Sequence, residues 1–115
     1  MAINPKLTLD NAFALKSPED SIRFYGDWAD TYDADFVAST GYVYHLRVVE
    51  CLTQHLSDIQ GPVLDIGCGT GIVGVALRNA GIKCVDGIDI SAAMLARCRA
   101  KTSDSGEPAY RNLIE

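Results

Sequence analysis

The sequence predicts an α/β fold built on a parallel sheet, and three observations support this prediction. Segments typical of strands and helices alternate from residue 63 to the end of the 115-residue chain. The first strand, Val63–Ile66, is expected to be buried and runs directly into three glycines, Gly67, Gly69 and Gly71. An acid, Asp89, ends the second strand. This order is typical of open parallel sheets, which bind ligands at the carboxyl ends of their strands.

The N-terminal half of the chain predicts helices rather than strands. Residues 1–16 show no strong periodicity and are expected to form an N-terminal arm, and residues 17–60 are expected to hold helices. Ser17 can cap the first helix, with Pro18 and Glu19 in its first turn. A second helix is expected from residue 41 to residue 56, because apolar residues recur there at three- or four-residue intervals: Val43, Leu46, Val49, Leu52 and Leu56.

Residues 61–115 supply the strands and the helices between them. After the glycine turn, a helix is expected over residues 72–80, and Gly81 suits its C-terminal end. A second strand is expected over residues 83–89, and Ser91 can cap a helix that runs to residue 100. The last residues, "YRNLIE", predict the start of a third strand.

Composition and charge narrow the classes of function. The net charge is −5, which disfavours nucleic acid and anionic membranes as partners, because phosphates attract basic surfaces. No apolar run is long enough to span a membrane, and the N-terminus lacks the features of a signal peptide. The four cysteines include no CxxC pair, which disfavours zinc. Their even number leaves a disulfide open, although a reducing, cytoplasmic compartment is the better fit.

The glycine turn indicates a docking edge for a nucleotide-like ligand. Glycine lets the backbone approach a ligand closely, and the helix that follows directs its free N–H groups to the same place. The spacing is GxGxG, and Ile72 stands where the dinucleotide fingerprint GxGxxG/A has a small residue. Asp65, inside the strand, is unfavourable beside a pyrophosphate but suits a ligand with positive charge. The sequence also lacks the GK[ST] of a phosphate-binding P-loop.

Asp89 adds a second binding group at the same edge of the sheet. A carboxylate at this point can accept both hydroxyl groups of a ribose through its two oxygens. Ile90, the next residue, can lie against an adenine ring. Asp86 is interpreted as a solvent-facing or turn residue rather than a ligand contact. Cys68 is interpreted as a small residue that fills the turn, since no neighbouring group that would activate its thiol is visible.

These motifs resemble the first two motifs of the class I S-adenosylmethionine-dependent methyltransferases. The resemblance rests on "VLDIGCGTG" followed by "VDGIDISAAML" and covers roughly residues 18–115. Upstream, "FYGDWADTYDADF" with "VVECLTQHL" is similar to the small-molecule branch of the family, which carries a W-A-x-x-Y-D element before its glycine motif. Within that branch, the sequence most resembles the methyltransferase-like type of the Williams–Beuren region.

The resemblance implies a Rossmann-like domain that binds S-adenosyl-L-methionine. In the family, the loop after the first strand cradles the methionine part of the cofactor. The acid after the second strand holds the ribose, and the Tyr-Asp of the upstream helix lies near the cofactor. The cofactor-binding residues implied here are Asp65, Gly67, Cys68, Gly69, Gly71, Asp89, Ile90 and Tyr32, with Tyr25 and Trp28 as weaker candidates. No catalytic residue or metal ligand is assigned, because methyl transfer from a sulfonium depends mainly on proximity and orientation.

The resemblance also implies that the sheet is incomplete. The family sheet has strand order 3-2-1-4-5-7-6, and this sequence supplies its first two strands and the start of the third. We therefore expect residues 61–115 to be the N-terminal half of a cofactor-binding domain, truncated after the start of the third strand. With the fourth strand missing, Val63–Ile66 is expected to become an exposed sheet edge, uncovered on one side and open to self-association.

The expected function is methyl transfer to a small-molecule acceptor, in an incomplete domain that is inactive by itself. The alternative is a non-catalytic module that binds S-adenosylmethionine or a protein partner. A dehydrogenase is disfavoured by Ile72 and Asp65.

Overall fold

The computed structural model describes residues 7–35, 44–55 and 59–115 of the chain. A single helical turn at residues 32–35 lies between the second and third of its helices. This succession confirms the α/β fold predicted from the sequence. The helices and strands are, in chain order, α1 (Leu9–Phe13), α2 (Pro18–Trp28), α3 (Tyr44–His55), β1 (Val63–Ile66), α4 (Ile72–Asn79), β2 (Val85–Ile88), α5 (Ala92–Arg99) and β3 (Leu113–Ile114).

The strands of the described residues form one parallel sheet in the order β1-β2-β3. Val63 of β1 is paired with Val85 of β2, and β2 pairs with β3 in the same direction. Just beyond β1, the N–H of Gly67 donates a hydrogen bond to the carbonyl of Ile88 at 2.8 Å. Because parallel strands end at the same edge of a sheet, this register brings the glycine turn beside the residues that follow β2.

Local sequence signals set the helix ends close to where the sequence predicts them. The side chain of Ser17 accepts a hydrogen bond from the N–H of Asp20 at 3.1 Å and so caps α2. Ser91 caps α5 through the N–H of Met94 at 3.2 Å. Gly81 follows α4 with a φ of +102°, in the left-handed region that favours glycine at helix ends. From β1 to α5, every element lies within two residues of its predicted bounds.

The buried core joins β2 to the helices on either side of it in the chain. Val85 of β2, Leu77 of α4 and Leu95 of α5 are each no more than 2% exposed. Burying an aliphatic side chain of this size contributes about 1.5–3 kcal/mol relative to leaving it in water. In addition, α3 packs against α4 and α2 packs against α5. These contacts fix the N-terminal helices against the part of the chain that carries the glycine turn.

The apolar sequence of β1 predicts a buried strand, whereas the incomplete sheet predicts an exposed edge, and the structure shows the exposed edge. Leu64 is 56% exposed and Ile66 is 79% exposed, although β1 pairs with β2 along its whole length. Val63 and Asp65 are only partly buried. Within the described residues β1 is the last strand on its side of the sheet. Its apolar sequence suits a strand covered on both faces, and the exposed side chains here mark an uncovered edge strand instead.

The stretch expected to be an arm contains a helix that the sequence did not predict. α1 is capped by Thr8, whose Oγ1 accepts a hydrogen bond from the N–H of Asn11 at 3.2 Å. Leu7, immediately before the cap, is buried. A five-residue helix is too short to show helical periodicity in its sequence, which explains why composition alone did not reveal it.

The second predicted helix is present as α3, and part of it lies outside the described residues. Residues 41–43 and 56 fall there, and with them Val43 and Leu56 of the predicted apolar stripe. Of the remaining stripe, Val49 is buried, whereas Leu46 is 54% exposed. The stripe therefore correctly predicted the face of α3 that contains Val49 but not the burial of Leu46.

Candidate functional site

The glycine turn opens the carboxyl edge of the sheet. Gly67, Gly69 and Gly71 have φ values of +72°, +55° and +91°, all in the region that residues with side chains rarely adopt. A Cβ atom added at Gly67 or Gly69 would meet no other atom within 4 Å, so open space lies over both residues. The N-terminus of α4 follows directly, with N–H groups that have no partner inside the helix. The turn thus presents bare backbone to a ligand.

Asp89 lies beside this turn and is held by two backbone N–H groups. Its Oδ2 accepts a hydrogen bond from the N–H of Gly69 at 2.8 Å. Its Oδ1 accepts one from the N–H of Ser91, also at 2.8 Å. A carboxylate oxygen has two lone pairs, so each oxygen can accept one further hydrogen bond from a ligand. The acid is therefore fixed in orientation and still able to bind.

Aromatic residues from α2 and the following turn cover the same space. Trp28 is 1% exposed, and its ring centroid lies 4.7 Å from that of Tyr32. Its indole Nε1 donates to Asp35 at 2.8 Å. Tyr25 stacks on Trp28 with a centroid distance of 6.3 Å, and burial, followed by the nearby charge of Asp89, raises the pKa of its phenol. Trp28 is thus core, while the two tyrosines face the glycine turn.

A cavity of about 310 Å³ lies where these three parts meet. Five of the residues implied by the sequence line it: Tyr32, Gly67, Gly69, Asp89 and Ile90. Tyr25, a weaker candidate, lines it as well, together with Ser21 and Met94. Asp65, Cys68 and Gly71 are outside its lining: Cys68 and Gly71 lie within the glycine turn, and Asp65 lines a separate cavity of about 470 Å³.

Asp65 is bound to a tyrosine that the sequence analysis did not single out. The hydroxyl group of Tyr110 donates to Asp65 Oδ2 at 2.6 Å. The same hydroxyl accepts a hydrogen bond from the N–H of Gly74 at 2.9 Å. Burial raises the pKa of Asp65, the hydrogen bond from Tyr110 opposes this effect, and the charge of Asp89 adds to it. Burial and the charge of Asp89 therefore disfavour the ionised form of Asp65, and a positive charge placed nearby would offset both effects.

Cys68 is a buried thiol within the turn. It contacts the Cys98 thiol of α5, and the hydrogen bond with Cys98 together with burial raises the pKa of Cys68 well above its ordinary value. A thiol held in its protonated form is a poor nucleophile. All four cysteines of the chain are free.

A polar network ties the N-terminal segment to the glycine turn. Lys101 Nζ donates to Asp33 Oδ2 at 2.7 Å and to the carbonyl of Thr70 at 2.6 Å. The hydroxyl of Thr70, a residue only 2% exposed, donates to the other oxygen of Asp33. Because Asp33 follows Tyr32, the network helps to hold Tyr32 at the cavity. The W-A-x-x-Y-D element contained Asp33, but no sequence signal pointed to Lys101, which is 68 residues away.

Comparison with known proteins agrees with this geometry. Residues 63–112 match the family model described as a methyltransferase domain. The human methyltransferase-like protein 27 is 40% identical over 94 residues, which are 77% of this chain and 37% of that protein. A ribosomal RNA small subunit methyltransferase C of Shewanella denitrificans is 48% identical over 50 residues, 43% of this chain and 14% of that protein. The chain thus spans well under half the length of these curated relatives.

A solved structure has the same fold. The structure of a DhpI–SAH complex superposes with a TM-score of 0.55 at 24% sequence identity, covering 85% of this chain and 43% of that one. The fold and the site define a parallel α/β domain of the kind that binds its ligand at the carboxyl edge of the sheet.

More particularly, the chain is similar to the N-terminal part of a class I S-adenosylmethionine-dependent methyltransferase domain. These matches agree with the family predicted from the sequence, and the solved structure confirms the predicted fold. None of the helices in the described residues has the length and apolar character needed to cross a membrane. The same residues hold no group of His, Cys, Asp and Glu side chains that could share a metal ion.

Proposed function

We propose that this chain binds S-adenosylmethionine in the 310 Å³ cavity and forms the cofactor-binding part of a methyltransferase. The observation that carries the proposal is the position of Asp89, fixed by Gly69 and Ser91 beside a glycine turn with open space above it. Two other cavities, of about 420 and 470 Å³, are lined mainly by apolar side chains, and neither has a glycine of the turn in its lining.

Each site residue has a role in this proposal. Asp89 accepts the ribose hydroxyl groups, and Ile90 packs against the adenine. The backbone of the turn from Gly67 to Gly71, which includes Cys68, receives the methionine part. Asp65 supplies a negative charge behind the turn for the cofactor's ammonium group, and Tyr32 covers the cofactor from the N-terminal side.

The bound cofactor supplies an already activated methyl group, so the protein contributes mainly proximity and orientation. The residues described here hold and orient the donor. None of the described residues is assigned as a general base. We infer that the 115-residue polypeptide does not turn over by itself, because β1 is an uncovered edge of the described sheet, with Leu64 and Ile66 exposed.

The acceptor proposed for the whole enzyme is a small molecule. The net charge of −5 supports this choice, since nucleic acid prefers a basic surface. The similarity to ribosomal RNA methyltransferases makes an RNA acceptor the competing outcome. A cytoplasmic location is part of the proposal, and the four free cysteines support it. The division of the chain into an arm (1–16), N-terminal helices (17–60) and a cofactor-binding half domain (61–115) is also part of the proposal.

A second candidate function is an interaction module that keeps the cofactor site without catalysis. The exposed side chains of Leu64 and Ile66 on β1 favour it, because an uncovered apolar edge strand readily recruits another strand. Self-association through this edge is the form of interaction that we propose.

Calorimetric titration of the purified chain with S-adenosylmethionine, and in parallel with NAD, tests the proposed function. We expect binding of S-adenosylmethionine and much weaker binding of NAD, because Asp65 and Ile72 oppose a pyrophosphate at the turn. Equal or tighter binding of NAD would contradict the proposal.

A further inference from the structure

The ring of Tyr110 fills a space that three glycines leave empty. A Cβ atom added at Gly74 would lie 2.1 Å from Cζ of Tyr110, and one added at Gly87 would lie 2.9 Å from its Cδ2. At Gly71, the added atom would lie 3.1 Å from Cε1 of the same ring. Real Cβ atoms essentially never come within 3.0 Å of another atom, so the ring of Tyr110 requires glycine at positions 74 and 87. At Gly71 the contact with the ring is tight, and the Cys98 Sγ atom, 2.7 Å from the added atom, is closer. The glycines around this turn therefore leave room for the ring of Tyr110 as well as for a ligand.

The hydroxyl group of Tyr110 joins the two ends of the glycine turn. It donates to Asp65 Oδ2 in β1 at 2.6 Å and accepts from the N–H of Gly74 in the first turn of α4 at 2.9 Å. The residue is 7% exposed, so neither bond is easily replaced by water. One phenol thus sets the spacing between the strand before the turn and the helix after it.

We infer that Tyr110 is a positioning residue for the cofactor, which acts by fixing Asp65 and the glycine turn. Within the described part of the chain, the hydroxyl group of Tyr110 donates a hydrogen bond to Oδ2 of Asp65. Oδ1 is thereby left for the cationic group of a ligand. Tyr110 lies outside the lining of the cavity and acts only through these neighbours. The inference rests on the proposed function, because positioning matters only if the turn binds the cofactor.

The charge state of Asp65 gives this role a measurable signature. The titratable groups around Asp65 are Tyr110 itself, Asp89 after β2, Cys68 in the turn and Cys98 in α5. Burial raises the pKa of Asp65, and the Tyr110 hydrogen bond lowers it. Without the hydroxyl, the pKa of Asp65 rises further, so the carboxylate is lost at a higher pH. Affinity for a cationic ligand should then fall off at a higher pH as well.

The experiment measures the affinity for S-adenosylhomocysteine (SAH), the cofactor without its transferable methyl group. Calorimetric titrations from acid to neutral pH compare the full chain with its variants. Tyr110→Phe keeps the ring and removes the hydroxyl, and Tyr44→Phe makes the same change at a side chain that is 64% exposed. We expect Tyr110→Phe to bind about tenfold more weakly at neutral pH. We also expect its loss of affinity in acid to move to higher pH. Tyr44→Phe should match the unchanged chain in both measurements.

A second variant keeps the test decisive if Tyr110→Phe does not fold. Asp65→Asn can still accept the Tyr110 hydrogen bond but carries no charge, so its affinity should lack the acid-dependent loss. Unchanged affinity and an unchanged pH profile in Tyr110→Phe overturn the inference, as does a retained acid-dependent loss in Asp65→Asn. If the unchanged chain binds no SAH, the proposed function fails and the role of Tyr110 fails with it.

Discussion

Replacing Asp89 with alanine removes the acid on which the proposed cofactor site depends most. The carboxylate lines the cavity and accepts hydrogen bonds from the N–H groups of Gly69 and Ser91, both at 2.8 Å. The substitution therefore has two effects. It deletes the acceptors for the ribose hydroxyl groups, and it releases Gly69, whose position in the turn the carboxylate fixes.

Hydrogen bonds to a charged group contribute about 1.5–3 kcal/mol, which corresponds to roughly 10- to 150-fold in affinity. We expect Asp89→Ala to weaken cofactor binding by this amount. Asp89→Asn, which keeps one acceptor oxygen without the charge, should fall between Asp89→Ala and the unchanged chain. Because Asp89→Ala also releases Gly69, we expect its loss of affinity to lie near the upper end of this range.

Asp86→Ala is the matched control, because Asp86 lies in β2, shortly before Asp89 in the chain, and outside the cavity. Its carboxylate receives Arg111 Nη2 at 2.6 Å and the N–H of Asn112 at 3.1 Å, which tie β2 to the segment before β3. The hydrogen bond from Arg111 holds the pKa of Asp86 below its ordinary value. Losing this surface contact should change cofactor affinity little.

Calorimetric titration with SAH at one pH and ionic strength compares the variants, with a thermal melt of each to show that it is folded. The reasoning is wrong if Asp86→Ala and Asp89→Ala weaken binding equally. It is also wrong if Asp89→Ala binds as tightly as the unchanged chain.

Two further substitutions and one activity measurement test other parts of the structure. Lys101→Met should shift the fluorescence emission of Trp28, the single tryptophan, to longer wavelength, because it loosens the segment that covers this side chain. The control variant Arg99→Met should not shift the emission. Identical emission spectra for the two variants would contradict the role of the polar network. Ile66→Lys should reduce self-association in sedimentation experiments, because a charge on an edge strand opposes strand pairing. Phe13→Lys on α1, at another exposed apolar side chain, should leave self-association unchanged. Unaltered association of Ile66→Lys would exclude the β1 edge as the site of self-association. The polypeptide alone should release no methyl group to candidate acceptors in a cofactor-turnover assay, and turnover by a stable monomer would refute the inference that it is inactive.

The second half of the chain could be predicted closely because its signals are local. A strand that runs into glycines, a serine before a helix and an acid after a strand each act within a few residues of themselves. Ser91 caps α5 as predicted, and Asp89 emerges beside the turn because parallel strands end at the same edge. The three glycines of the GxGxG turn also adopt positive φ angles, which glycine accepts readily.

The contacts that organise the site from a distance could not be predicted in this way. Tyr110 binds Asp65 across 45 residues, and Lys101 binds Asp33 across 68. Such pairings depend on how helices and strands pack, and no short motif encodes them.

The exposure of β1 was predicted from the incomplete sheet and not from the strand's own sequence. An apolar run such as Val63–Ile66 indicates that a strand suits burial, but its actual cover depends on which neighbours lie beside it. The edge position in the sheet, and not the sequence of the strand, decides that Leu64 and Ile66 are exposed here.

The most direct test of the account is an amide chemical-shift map of the ¹⁵N-labelled chain with and without SAH. Binding at the proposed site should move the amide signals of Gly67, Gly69 and Asp89. Those of Gly81 and Gly106, which lie in turns outside the cavity lining, should stay in place. Shifts confined to residues outside the glycine turn, or no shifts at saturating SAH, would contradict the claim that this turn is the cofactor site.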